Sequence, residues 1–245
     1  MIRAALIVLA ALIATPASAV DCSDTTFDGT RYTICEVDAA QEDLRLFLDD
    51  EQGNRLGQFP AVDAMLAAEG KQLSFAMNAG MYHDDRAPVG HYVEDGRELM
   101  RVIPNAGPGN FGLLPNGVFC IRPGRADAIE TQAFLARKPA CTYATQSGPM
   151  LVIDGALHPR FLPDSSSRYI RNGVGSSADG TRVVFVLSRN LVTFYDFGRL
   201  FRDHLGLPQA LYFDGNVSRL YARQLGRHDR GFDLGPIVGV VDSAD

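Results

Sequence analysis

Four short stretches of this sequence carry side chains able to do chemistry, and each sets them beside glycine. "FAMNAGMYHDD" (75–85) holds Asn78 and Gly80, and "TQSGPMLVIDG" (145–155) holds Ser147 and Gly148. "RYIRNGVGSS" (168–177) holds Arg168, Arg171 and Asn172, and "LYFDGNVSR" (211–219) holds Asp214, Gly215 and Arg219. In each, an apolar run meets a tight polar turn. Glycine lets the backbone approach a ligand or take positive φ, and Asn, Ser and Asp supply short hydrogen-bonding groups. A guanidinium such as that of Arg171 matches phosphate oxygens in a bidentate fork. A carboxylate such as Asp214 can act as nucleophile, as stabiliser of a developing cation, or as base toward water. Taken singly, each stretch reads as a turn, and Arg171 with Asp214 reads as a buried ion pair. Together they predict strand ends converging on one site.

Other motifs are absent or incomplete. "GNFGLLPNG" is not a dinucleotide fingerprint, and no P-loop occurs. Ser147 lies in "TQSGPM", which lacks the GxSxG elbow, so a serine hydrolase with His158 as base is a lesser alternative. The histidines show no HExxH spacing. His83, beside Asp84 and Asp85, is the one position where a cation could be held, and no metal or cofactor is expected. Asp84 and Asp154 are secondary acid candidates, Asp154 being a turn residue beside Gly155.

The elements that must position these groups are short strands and few helices. Strands are expected at 32–37 and 44–49, as neighbours across a polar turn, and at 73–78, 117–121, 150–154, 182–187 and 236–241. Residues 89–102 predict a hairpin turning at Asp95-Gly96. A helix is expected over 59–70, with Pro60 at its start and Gly70 at its end. Another is expected over 193–206, where Thr193 and Asp196 fit a capping box and Phe194, Phe197, Leu200, Phe201 and Leu205 form an apolar stripe. That stripe is core rather than ligand site. Strands and helices do not alternate strictly, which argues against a doubly wound parallel sheet. The expected fold is α+β, a single domain with a mixed, twisted sheet and a few packed helices.

Residues 1–19 have one positive charge (Arg3), an apolar centre and an Ala17-Ser18-Ala19 ending, the pattern of a secretory signal cleaved after Ala19. The apolar stretch is shorter than the roughly 20 residues of a spanning helix. Asp21 before Cys22 argues against a lipoprotein, where a small residue is required. Without Arg3 the net charge of 20–245 moves from −6 to −7. No basic cluster and no further long apolar span remain, so nucleic-acid binding and membrane insertion after signal cleavage are disfavoured. The protein is expected to be periplasmic or secreted. Cys22, Cys35, Cys120 and Cys141 suggest disulfides over zinc, since no CxxC spacing occurs. Three pairings are open; the local one, 22–35 with 120–141, would contribute about 3 kcal/mol for each loop.

Read together, "NAGMY" (78–82), "SGPMLVIDG" (147–155), "RNGVG" (171–175) and "LYFDG" (211–215) resemble, in order, the pattern of the phosphodiester glycosidase family. The resemblance runs from about residue 30 to the end. The uncovering-enzyme-like members of that family remove N-acetylglucosamine from a sugar-1-phosphodiester. After Asp-Gly this chain continues Asn216-Val217-Ser218-Arg219, where that branch has more Gly and Ser. With "GLLPNGVFCI" and "TFYDFGRLFRD", it is more similar to a bacterial exported branch. The resemblance implies an exported hydrolase acting on a carbohydrate phosphodiester or cell-envelope glycan. Asp214, Arg171, Asn78 and Ser147 would form its catalytic group. Gly80, Gly148, Asn172, Gly215, Arg168 and Arg219 would bind substrate. The alternative class is a non-catalytic module that binds envelope glycans or phospho-polymers, which wants the same Arg, Asn and Ser.

Overall fold

In the computed structural model, which describes residues 20–215 and 217–244, the apolar runs become strands of three sheets. The signal segment expected at 1–19 lies outside the described residues, as does Asn216. The first sheet runs β1 (Asp21–Phe27), β2 (Thr30–Asp38), β13 (Arg182–Ser188), β12 (Asn172–Ser176), β14 (Gln209–Tyr212), β10 (Met150–Ile153) and β11 (Ala156–Leu157). The second runs β16 (Arg227–His228), β15 (Leu220–Ala222), β4 (Lys71–Asn78), β17 (Ile237–Ser243) and β3 (Asp43–Phe47). The third runs β6 (Arg97–Met100), β5 (Tyr92–Glu94), β9 (Tyr143–Ser147), β7 (Gly117–Arg122) and β8 (Arg125–Glu130).

Strand pairing among the described residues is antiparallel throughout. The α+β class therefore holds, mostly β, with three antiparallel sheets where the sequence suggested one mixed sheet. The reason lies in the turns. Asp28-Gly29, Asp95-Gly96 and Asp154-Gly155 all take positive φ, the conformation of two-residue hairpin loops, and such loops join antiparallel neighbours. The hairpin expected at Asp95-Gly96 is β5–β6. The expected pairing of 32–37 with 44–49 does not form. Both edges of β2 are taken, by β1 and by β13, so the chain turns after Asp38 and β3 joins the second sheet against β17.

Among the described residues, three α-helices cover the outer faces of the sheets. Helix α1 (Phe59–Ala67), with Pro60 in its first turn, buries Phe59, Val62 and Leu66 on the second sheet. Helix α2 (Thr131–Arg137), too short to stand out in the sequence, is capped by the Glu130 carboxylate, which accepts from the Ala133 amide at 2.9 Å. Helix α3 (Phe194–Arg199) begins on the predicted capping box: the Asp196 amide donates to Thr193 Oγ1 at 3.0 Å, and the Thr193 amide to Asp196 Oδ2 at 3.4 Å. Beyond Arg199 the helix widens into a π turn, Leu200–His204, in which the Leu205 amide reaches Leu200 O at 3.0 Å. The wider turn keeps Leu205, five residues after Leu200, on the buried face with Phe197 and Phe201.

The sheets meet at a wedge of phenylalanines. Phe185 of β13 lies 4.9 Å from Phe75 of β4 and 5.8 Å, edge-on, from Phe119 of β7, so one contact set joins all three sheets. Phe119 also meets Phe213 edge-on at 6.1 Å. All four rings are fully buried. The cysteines pair locally, Cys22–Cys35 across β1 and β2 and Cys120–Cys141 beside β7, and no described cysteine is free. No helix of the described residues is long and apolar enough to cross a membrane.

Because Phe185 touches the other two sheets, Phe185→Ala is expected to lower unfolding free energy by about 3–5 kcal/mol. Loss of the α3 cap in Thr193→Ala costs about 1 kcal/mol. Urea denaturation measures both, and equal costs would contradict the wedge as the junction of the sheets.

Candidate active site

Asn78 ends β4, Ser147 ends β9, Asn172 opens β12, and Asp214 follows β14 by two residues, so one strand end from the second sheet, one from the third and two from the first converge. Asn78 Oδ1 accepts from Asn172 Nδ2 at 2.8 Å and from the Arg219 amide at 3.0 Å, while Asn78 Nδ2 donates to Val217 O at 2.7 Å. Asn172 Oδ1 accepts from the Asp214 amide at 3.2 Å, and Asn172 Nδ2 also reaches Ser218 Oγ at 3.2 Å. Ser147 Oγ donates to Phe213 O at 2.7 Å. Asn78, Ser147 and Asn172 are each 0% exposed. Their polar atoms are directed at the backbone on either side of Asp214. They hold Phe213, Asp214 and Val217–Arg219 in place, and buried polar groups satisfied in this way specify one arrangement.

Asp214 is the member of this set that reaches a surface. Its Oδ1 accepts from the Gly215 amide at 2.6 Å, and Ser218 Oγ donates to its carbonyl at 3.3 Å. It lines a cleft of about 730 Å³ with Tyr212, Gly215, Tyr82, Arg86 and Tyr169. At Gly215 only hydrogen fits, because a Cβ there would collide with Tyr212 Oη. The Tyr212 phenol is held above its ordinary value, first by burial; the Arg171 charge opposes this and the Asp214 charge adds to it. The Tyr82 phenol is likewise raised by burial and then by Asp214, with Arg86 acting against it.

Arg171 lies beneath the cleft rather than in it. It is 1% exposed, with its guanidinium 3.6 Å from the centre of the Phe194 ring and 5.4 Å from those of Tyr169 and Tyr212. Its Nε donates to Val192 O at 3.0 Å and its Nη2 to Ser167 O at 3.2 Å. Among the described residues it forms no ion pair with a carboxylate, so the buried Arg171–Asp214 pair considered from the sequence is replaced by a cage of aromatic rings and carbonyls. Arg171 Nη1 and Tyr212 Oη are both buried without a well-formed hydrogen bond. The Arg171 charge nonetheless works against the rise of the Tyr212 phenol, and burial lowers the affinity of Arg171 for its proton.

Apart from His83, the remaining candidates sit outside the cleft. Arg219 is buried over Phe59, donating to Phe232 O at 2.8 Å, Asp229 O at 2.9 Å and Gln58 Oε1 at 2.8 Å, so its fork holds the 229–232 loop. Arg168 donates to Asp196 Oδ2 at 3.2 Å near the start of α3. Gly80 and Gly148 face protein: a Cβ would come within 2.9 Å of Thr145 Oγ1 and 2.5 Å of Asn116 Cβ respectively. His158 packs on Phe161 at 4.7 Å and burial pushes its imidazole down to about 4, while the Ser147 hydroxyl donates to a carbonyl rather than an imidazole. Asp154 sits in the β10–β11 turn and accepts from Gln209 Nε2 at 2.5 Å. His83 lines the cleft; Asp84 beside it is exposed, and Asp85 caps its own loop by accepting from the Ala87 amide at 3.0 Å. No group of three metal-ligating side chains is gathered among the described residues.

Sequence reasoning assigned no role to Tyr82, Arg86 or Tyr169. Tyr82 is the aromatic of "NAGMY" and Arg86 follows it by four residues, so their place in that loop was the available signal.

Residues 71–233 match the family model described as phosphodiester glycosidase. The uncharacterized protein YigE of Escherichia coli K12 is 35% identical over 205 residues, covering 83% of this chain and 78% of the relative. In fold, the chain is similar to the zebrafish N-acetylglucosamine-1-phosphodiester alpha-N-acetylglucosaminidase catalytic domain, auto-inhibited by its pro-peptide. The TM-score is 0.62 at 13% identity, over 94% of this chain and 85% of that one. It is also similar to a Burkholderia pseudomallei K96243 protein described as exported, with a TM-score of 0.56 at 12% identity, over 86% and 74% of the two chains.

Asn172→Ala removes both the donor to Asn78 and the acceptor of the Asp214 amide. It is expected to cost about 1–3 kcal/mol and to speed amide exchange across 214–219. Hydrogen exchange that stays at the wild-type rate there would show that the loop does not depend on Asn172.

Proposed function

The chain belongs to the phosphodiester glycosidase family, and from that premise we propose that its cleft hydrolyses the glycosidic bond of a sugar-1-phosphodiester, with Asp214 at the anomeric carbon. The observation that carries this reading is the position of Asp214: a carboxylate delivered by a buried strand into a cleft, its loop held by three fully buried polar side chains.

The chemistry suits that arrangement. Breaking the bond between the anomeric carbon and its oxygen expels a phosphate monoester, a good leaving group, so strong general-acid help is less needed than in ordinary glycosides, where two carboxyl groups share the work. The site needs a carboxylate beside the developing oxocarbenium centre and a pre-set polar environment around it. Asp214 supplies the first. Asn78, Ser147 and Asn172 supply the second indirectly, by fixing the Asp214 backbone. Arg171 is a positioning residue that braces Tyr169 and Tyr212, and its charge beneath those rings favours an anion in the cleft. Two disulfides fit an oxidising compartment, which supports the periplasmic or secreted setting read from the signal segment. The substrate is a carbohydrate phosphodiester of the envelope or exterior.

The test is hydrolysis of a panel of sugar-1-phosphodiesters, including that of N-acetylglucosamine. Wild type is expected to turn over at least one, and Asp214→Asn to lose about 10²–10⁴-fold in kcat while keeping its melting temperature. Binding without turnover, indifferent to Asp214→Asn, would replace the enzyme with a glycan-binding module.

A further inference from the structure

A phosphodiester brought up to Asp214 carries its own negative charge toward a carboxylate, so the cleft requires a cation whose donors face the ligand. The three arginines singled out from the sequence do not meet that requirement. Arg168 is paired with Asp196, Arg171 lies under the aromatic floor with Nε and Nη2 on carbonyls, and the Arg219 fork is on protein oxygens. A fourth arginine is better placed. Arg86 lines the same cleft as Asp214, and among the described residues its guanidinium makes no ion pair with a carboxylate.

The loop that carries Arg86 is built to hold it. Tyr82 and Pro88 form an antiparallel bridge at its base, with the Val89 amide donating to Met81 O at 3.0 Å. Across the tip the His83 amide donates to Ala87 O at 2.9 Å and the Arg86 amide to His83 O at 2.8 Å. Arg86 itself has a φ of 67°, a left-handed conformation uncommon for a long side chain and one that the surrounding bonds enforce. Its guanidinium carbon rests 5.1 Å from the centre of the Tyr82 ring. That ring is itself fixed, packed so closely on Gly235 that a Cβ there would come within 2.5 Å, with its hydroxyl donating to Asp233 O at 3.3 Å. A planar fork stacked on an immobilised ring loses little freedom on binding an anion.

We propose that Arg86, shelved on Tyr82, binds the phosphate of the substrate and makes the site selective for glycosyl phosphates over neutral sugars. The assignment rests on the phosphodiester reading of the cleft and adds the residue that recognises the phosphate. Asp214 and Arg86 then divide the ligand between them, sugar carbon to one and phosphate to the other. The Asn-x-Gly-x-aromatic loop acquires a direct role through the residue that its aromatic supports.

The experiment is calorimetric titration of wild type, Arg86→Gln, Arg86→Lys and Asp214→Asn with a panel of hexose 1-phosphates, glucose, galactose, mannose and N-acetylglucosamine, each against its free hexose. Wild type is expected to prefer at least one phosphate over its free sugar by about tenfold or more. Arg86→Gln abolishes that preference, Arg86→Lys keeps part of it because charge survives without the fork, and Asp214→Asn retains it. Arg86→Lys also serves if the Gln variant does not fold, since full wild-type preference in Lys would contradict recognition by the fork. A preference unchanged in Arg86→Gln, or absent from wild type throughout the panel, overturns the proposal. Arg86-dependent preference in a protein that hydrolyses no phosphodiester would leave the Arg86 site standing and remove the glycosidase reading alone. Turnover with a phosphate preference indifferent to Arg86 would do the reverse.

Discussion

The hydrogen bond between the side-chain amides of Asn78 and Asn172, 2.8 Å long and closed to water, is the contact on which the site depends. It joins a strand end of the second sheet to one of the first. The same two side chains then hold Val217 O and the amides of Asp214 and Arg219, so the position of one sheet relative to another becomes the position of a carboxylate. A buried amide left without a partner costs free energy that an exposed one does not, so each of these groups restricts where the others can be. The arrangement persists because separating the sheets at this point would strand several polar atoms at once.

The apolar core supports that contact from below. Phe213, the residue before Asp214, is wedged against Phe119, which meets Phe185 and through it Phe75. Its carbonyl is held by Ser147 from the third sheet. All three sheets therefore contribute to a two-residue segment, by ring packing beneath and hydrogen bonds at the sides. The Asp214 backbone is held from several sides while its side chain borders the cleft.

Arginine shows how one residue type is put to different uses by burial and by the partners it meets. Arg171 sits among aromatic rings, Arg219 fastens a loop by its carbonyls, and Arg168 pairs with a helix-capping aspartate. Arg86 faces the cleft. In the sequence Arg171 stands out because a guanidinium matches phosphate oxygens and because it opens "RNGVG", and that stretch does enter the site. The distinction between a guanidinium below the floor and one at the cleft depends on how the segment before β12 and the 82–88 loop pack against the rest of the chain. Local composition does not encode that for a fully buried strand such as β12, with apolar packing on both faces.

By itself the sequence determined the α+β class, most strand and helix positions, the capping box of α3 and the four segments that meet. Each of these follows from local patterning: apolar runs, turn pairs with positive φ, and hydrogen bonds between near neighbours. It also singled out Asp214, through an apolar run ending in Asp-Gly. The tertiary structure decided what depends on contacts between distant segments. Both edges of β2 being occupied sent β3 to another sheet, and the disulfides closed locally where three pairings had been open. Asn78, Ser147 and Asn172 became supports for the loop because their partners lie 139, 66 and 94 residues away, on Val217, Phe213 and Asn78 respectively. Such pairings are set by how three sheets pack around four phenylalanines, a constraint that acts on the whole chain and leaves little trace in any one stretch of it.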